Sequence, residues 1–294
     1  MTYDVIVIGG SYAGMAAALQ LLRAHRNVLI IDAGERRNRF AAHAHGFLTQ
    51  DGIDPAQIAA TAKAQLEQYP TLKWVTGKAV NAQGDKDDFQ VIDDKGEVFH
   101  GRRVIFAMGV SDTLPDIEGL RDHWGKRVFH CPYCHGYELG KGHIGVIATG
   151  PMSLHQARLM PEWGDVTLFL NDALTLDHET QKMLMARDVC IETTPITRLD
   201  NNADVLLEDG RRLSFSGLFT ASTNAPTSPI AENLGCAIVE TGFGTMIDTD
   251  NGKLTSIPGA YACGDVARVP HSVSLAVGDG AWAGAQVHAS LVFG

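Results

Sequence analysis

Within its first 32 residues the chain joins a β-branched run, a glycine cluster, a small-residue helix and a second apolar run that ends in an acid. Few folds accommodate that order. Tyr3-Asp4-Val5-Ile6-Val7-Ile8 ends at Gly9, as a buried parallel strand does. Gly9-Gly10-Ser11-Tyr12-Ala13-Gly14 follows, then Met15 to Arg23, rich in strong helix formers. Val28-Leu29-Ile30-Ile31-Asp32 reads as the next strand, its acid 23 positions after Gly9. Strand, glycine turn, helix, strand and acid in this register form a dinucleotide-binding unit. Gly9 permits the tight turn and Gly14 lets the helix pack close to the sheet. The helix N-terminus offers free amides and a positive dipole end to a pyrophosphate, and Asp32 takes ribose hydroxyls. Ser11 stands where the fingerprint has its second glycine, so its side chain must point away from the phosphate or donate to it.

The rest of the chain bounds the function. Its 294 residues make two domains at roughly 100–200 residues each. Lys plus Arg number 24 against 34 Asp plus Glu, a formal charge of −10, which argues against nucleic acid or an anionic membrane as the main partner. No apolar stretch reaches the roughly 18 residues of a membrane span, and the first residues lack the pattern of a secretory signal. Five cysteines do not read as a secreted disulfide framework. A cytoplasmic protein is expected.

His130-Cys131-Pro132-Tyr133-Cys134-His135-Gly136-Tyr137-Glu138 is the most informative stretch. Two cysteines three apart can close a small disulfide ring, one thiol meeting a substrate and the other a redox partner. Cys131-x-x-Cys134-His135 also spells a c-type haem attachment site, but haem is attached outside the cytosol. Zinc needs about four ligands, and the next cysteine, Cys190, is 56 residues away. Two plain buried thiols remain as an alternative. The spacing favours a dithiol–disulfide pair and no metal. Near the other end, Ile257 to Val266 reads as a short apolar strand closed by Gly264-Asp265, and Ser272 to Leu291 as a small-residue helix. Cys263 has no partner spacing and is expected to be a buried small residue.

These motifs together resemble the low-molecular-weight thioredoxin reductase superfamily of two-domain flavoproteins, over essentially the whole chain. The resemblance implies an α/β fold of two Rossmann-like, doubly wound nucleotide-binding domains, the second inserted in the first. It implies a discontinuous FAD domain at 1–111 plus 241–294 and a domain at 112–240 that carries the redox pair. Gly9, Gly10, Ser11, Ala13, Gly14, Asp32 and Gly109 would hold FAD, together with Gly264, Asp265 and the backbone at Val273. Asp265 would meet the ribityl chain, and the helix from Val273 would point its N-terminus at the pyrimidine end of the flavin. A homodimer is implied as well. The family usually carries Asp directly after the second cysteine; here His135 stands there. With a pKa near neutrality it could both donate to a leaving thiolate and accept from an incoming thiol, and Glu138 could orient its ring.

A nicotinamide site belongs on the second domain but is poorly represented. Its glycine turn aligns with Ala148, Gly150 and Ser153, so only one glycine of two is kept, and Pro151 removes an amide. The next strand, Asp165 to Asn171, ends at Asn171-Asp172, with no Lys or Arg until Lys182. A 2′-phosphate beside Asp172 without a cation is unfavourable, while Asp172 could suit the ribose of NADH. NAD(P)H use is therefore doubtful. The chain is most similar to the gliotoxin and holomycin dithiol oxidases, through Gly10-Ser11-Tyr12, the segment Ala42-His43-Ala44-His45-Gly46-Phe47-Leu48-Thr49, and Cys131 to Glu138. His43 and His45 either line the space over the flavin or are solvated loop residues. The implied activity is thiol–disulfide exchange with a small-molecule dithiol or disulfide, or a thioredoxin-like protein, with Cys131, Cys134 and His135 as the catalytic group. The favoured direction is dithiol oxidation with oxygen as acceptor. A thioredoxin reductase drawing on NAD(P)H, ferredoxin or reduced flavin is the alternative, and a non-catalytic flavin redox sensor is a third reading.

Overall fold

The computed structural model describes residues 2–200 and 202–294. The chain divides into two compact units, one of residues 2–39, 47–111 and 224–294, the other of 40–46 and the described part of 112–223.

In the first unit, β1 (Thr2–Ile8), β2 (Val28–Asp32), β3 (Leu72–Thr76), β4 (Ala79–Gln83), β5 (Phe89–Asp93) and β6 (Val98–Phe106) share one sheet in the order β3-β2-β1-β6-β5-β4. β3, β2, β1 and β6 run parallel, as the buried runs Val5 to Ile8 and Val28 to Ile31 require. β6 pairs with β1 on one edge and is long enough to serve two partners on the other. Val98–Gly101 pairs antiparallel with β5, whereas Val104–Phe106 pairs parallel with Ala260–Ala262 from the far end of the chain.

Helix α1 (Tyr12–Arg23) follows the glycine turn, and the helix Val273–Phe293 closes the chain, capped by the Ser272 hydroxyl, which accepts from the Leu275 amide at 3.1 Å. The two helices pack backbone to backbone. A β-carbon at Gly280 would strike the backbone of Ala13, and one at Gly284 that of Ala17. Arg103 in β6, fully buried, fastens the end of the same helix: its guanidinium donates to the Ser290 carbonyl and hydroxyl and pairs with Asp87 at 2.8 Å.

The second unit has five parallel strands, ordered Cys190–Glu192, Asp165–Phe169, His143–Ile147, Gly217–Thr220 and Val128–Phe129. An antiparallel flap of Ile196–Leu199, Val205–Leu207 and Arg212–Leu213 accompanies it.

The expected return to the first unit at 241 needs correction. Residues 224–240 already belong there, because Ile230, Ala231 and Cys236 are buried in its core with Ala79 and Ala82. Ile238–Thr241 also pairs with Gly244–Ile247. Conversely, residues 40–46 group with the second unit, where Phe40 packs so closely on Gly125 that a β-carbon there would lie 2.7 Å from its own.

Replacing Gly280 by Val forces a branched side chain into backbone. A loss of roughly 1–3 kcal/mol in urea-unfolding stability is expected, as for other overpacked cores; an unchanged midpoint and slope would contradict the close packing.

Candidate active site

After the strand Val128–Phe129, Cys131 caps the short helix Pro132–His135 and Cys134 lies within it. Cys131 and Cys134 form a disulfide, with Cα atoms 5.4 Å apart and both side chains half-buried. Pro132 occupies the first helical position, where its missing amide costs nothing. Gly136 is squeezed between the Trp163 ring and the Pro132 carbonyl, so a side chain there would displace the turn. The backbone ahead of Cys131 is held from below: buried Gln156 donates to the His130 carbonyl at 2.9 Å. Nothing in the sequence marked Gln156, a polar residue at a core position of the helix Met152–Leu159. Tyr133 and Tyr137 stand 73% and 87% exposed on either side of Cys134.

His135 stacks face to face on Phe129, with ring centroids 4.3 Å apart and planes 19° from parallel. Burial, and secondarily the neighbouring His45, push its pKa down from 6.5 to about 4. The expectation of a near-neutral value is therefore corrected: at pH 7 this imidazole is uncharged, and the same burial makes it a weaker proton acceptor than a free histidine. Glu138 does not orient His135 as expected; its carboxylate lies 3.4 Å from Nδ1 of His45. His45 thus joins the redox centre, and the exposed His43 lies beside it with ring centroids 6.3 Å apart.

The second glycine turn is closed on itself. The Thr149 amide donates to the fully buried Ser153 hydroxyl at 3.0 Å, and the Thr149 hydroxyl donates to the Ala221 carbonyl at 2.8 Å. Ala148 is buried, and Asn171 at the end of the next strand accepts from the Ile196 amide at 3.0 Å. The Thr149 amide and hydroxyl and the Asn171 side-chain oxygen are thus engaged within the protein.

The first glycine turn differs. Gly9 has φ +103°, and its β-carbon would meet the Ala107 carbonyl at 2.5 Å; a β-carbon on Gly14 would collide with the Gly9 carbonyl. Ser11 caps α1 without a side-chain bond, so the helix N-terminus is not covered by its hydroxyl. Asp32 accepts from the Gly10 amide at 2.9 Å and so holds the turn itself. Gly109 has φ +72° and open space around it. Gly264 approaches Ala13, and its amide donates to Asp279 at 2.8 Å, a carboxylate paired with Lys253 at 2.9 Å. Asp265 keeps one oxygen, Oδ1, buried without a protein partner, while Oδ2 accepts from Arg37 at 3.1 Å. Val273 opens the C-terminal helix. An open helix N-terminus, glycines that bring backbone together and an orphaned carboxylate oxygen are what a flavin dinucleotide requires, so the residues present fit it. Cys263 is wholly buried and its thiol pKa is raised by burial, first of all.

The family model "Pyridine nucleotide-disulphide oxidoreductase" matches residues 3–280. The chain belongs to the pyridine nucleotide-disulphide oxidoreductase family. It is similar to "Thioredoxin reductase sirT" of Leptosphaeria maculans, 32% identical over 97% of this chain and 93% of that protein. Among solved structures it is similar to an oxidoreductase from Agrobacterium tumefaciens, 53% identical, TM-score 0.98, over 100% and 99% of the two chains. HlmI is 34% identical with TM-score 0.91, over 99% of this chain and 93% of that one. As a member of this family the protein is an oxidoreductase with two Rossmann-like domains, and membership implies a flavin. No described helix is long and apolar enough to cross a membrane.

The histidine site carries a direct test. The His135 ring should titrate by NMR with a midpoint near pH 4. His45→Gln should move that midpoint upward but keep it below 6.5, since burial is the larger cause. Because the folded value is the lower one, this histidine's contribution to stability is present above pH 6.5 and is lost as pH falls towards 4. A midpoint at 6.5 in the folded protein would refute the buried neutral ring.

Proposed function

We propose that the protein is an FAD-dependent dithiol oxidase acting through Cys131 and Cys134. The observation that carries this reading is the self-satisfied second glycine turn, with Thr149 bonded to Ser153, in the same unit as a redox disulfide. Absence of a basic cluster after the strand Asp165–Phe169 supports it.

A substrate thiol, deprotonated by neutral His135, attacks Sγ of Cys131 and releases Cys134 as thiolate. The substrate's second thiol then attacks the mixed disulfide, releasing Cys131 and the oxidised substrate. Two protons and two electrons now reside on the enzyme. Bound FAD supplies the two-electron acceptor that restores the disulfide, with oxygen reduced to peroxide as the final acceptor. Gly9, Gly10, Ser11, Ala13 and Gly14 would cradle its pyrophosphate, Asp32 and Gly109 would line it, and Gly264, Asp265 and Val273 would hold the flavin end. The exposed Tyr133 and Tyr137 rings beside the disulfide suit a small substrate with planar apolar faces.

The name of the Leptosphaeria relative favours a second reading, a thioredoxin-disulfide reductase supplied by NAD(P)H, ferredoxin or reduced flavin. An anaerobic visible titration separates the two. A small dithiol should bleach the yellow flavin band, air should restore it with one peroxide per flavin, and neither NADPH nor NADH should alter it. Stoichiometric bleaching by NADPH would overturn the oxidase reading. Cys131→Ser and Cys134→Ser should each abolish dithiol turnover while keeping flavin. His135→Ala should slow the thiol half-reaction by up to about 100-fold, the low end of general base catalysis, because burial weakens the ring as a base.

A further inference from the structure

We propose that Arg37 is the organising residue of the flavin site, a clamp between Asp265 and His271 that holds the carboxylate for a flavin hydroxyl and fixes the tautomer of the histidine. The inference rests on the flavin reading above, not on the direction of electron flow.

Arg37 opens the turn Arg37–Phe40 that follows β2. Its Nη1 donates to Asp265 Oδ2 at 3.1 Å and to His271 Nδ1 at 2.7 Å. The two partners lie more than 220 positions further along the chain. One nitrogen carries two hydrogens, so it can serve both acceptors at once. A guanidinium has no lone pair to offer, so Nδ1 of His271 must be the acceptor. Nε2 of His271, 2.9 Å from the Arg268 carbonyl, must then carry the proton, because a carbonyl only accepts. The ring is held as the neutral Nε2–H tautomer, one residue before the Ser272 cap of the C-terminal helix.

The other face of the cluster points to a ligand. Asp265 Oδ1 is buried and unmatched within the protein, and so are Nε of Arg36 and Oδ1 of Asn38, the residues on either side of Arg37. A buried carboxylate oxygen without a donor is costly. A polyhydroxylated ligand supplies the missing O–H donors, whereas a phosphate would bring a second anion against Asp265. Arg37 neutralises the carboxylate and orients it, and both effects favour a ribityl-type hydroxyl chain.

The test is a double-mutant cycle read by FAD affinity. Apoprotein is prepared from wild type, Arg37→Gln, Asp265→Asn and the double variant, and FAD binding is followed by quenching of flavin fluorescence. Arg37→Gln should weaken FAD by about 10- to 100-fold, the range for losing a charge-assisted hydrogen bond. In the Asp265→Asn background the same change should cost about 3-fold or less, because no carboxylate remains to orient. Arg37→Lys, which keeps the charge, should recover most of the affinity. Nitrogen-15 shifts of His271 in the wild-type apoprotein should show Nε2 protonated and Nδ1 bare, and Arg37→Gln should yield a tautomer mixture. Wild-type affinity in Arg37→Gln, or penalties that simply multiply across the cycle, would overturn the clamp. Should Arg37→Gln fail to fold, an Nδ1-protonated His271 in the wild-type protein overturns it alone. Failure of wild-type apoprotein to take up FAD would instead bring down the flavin reading, and the inference with it.

Discussion

The contact on which the first unit depends is the backbone-to-backbone packing of α1 on the C-terminal helix. Gly280 and Gly284 leave no room for a side chain against Ala13 and Ala17, so the helices approach as closely as their backbones permit. That approach seats residues from opposite ends of the chain in one place. Gly264 meets Ala13 at the start of α1, and Asp279, one residue before Gly280, holds the Gly264 amide while Lys253 balances its charge. Burying an ion pair in this position is tolerable because the second carboxylate oxygen also accepts from the Gly264 amide and the ammonium also donates to the Ala267 carbonyl. The glycine turn after β1 and the Gly-Asp turn after Ala260–Ala262 are therefore brought side by side by helix packing rather than by loops.

Chemistry at the disulfide follows from a different constraint, the removal of water from one imidazole. Phe129 covers a face of His135, and a neighbouring histidine adds a like charge whenever it is protonated. Both effects favour the neutral ring. Where the family pattern has Asp after the second cysteine, this chain has a ring that is uncharged at pH 7 and that burial makes a weaker proton acceptor than a free histidine.

The two units build similar elements with different contacts. Each has a parallel strand, a glycine-containing turn and a helix. In the first, Gly9 and Gly14 bring backbone close to backbone. In the second, Ser153 turns back on Thr149, and Gln156 of the same helix supports the backbone before Cys131. The helix Met152–Leu159 thus braces the backbone ahead of the redox pair.

Much of this was legible in the residues. Period and composition mark β1, α1, β2 and the C-terminal helix, because a β-branched run ending in glycine and a helix of small residues each satisfy few other structures. The Cys131–Cys134 pair was legible because two cysteines three apart have a short menu of uses. Local rules do not reach further than that. The return of the chain at Asn224 depends on Ile230 and Ala231 finding the β4 side of a distant core. The pairing of Glu138 with His45 rather than His135, and of Arg37 with Asp265 and His271, joins residues with no periodic relation in sequence. A histidine's burial likewise belongs to its neighbours and not to its own code, so the drop of His135 to about 4 could not be read from the motif. Sequence by itself determined which elements form and which atoms are available for redox chemistry. Tertiary structure alone decided their protonation and partners, since desolvation and hydrogen bonding are set by whatever the fold brings within a few ångströms.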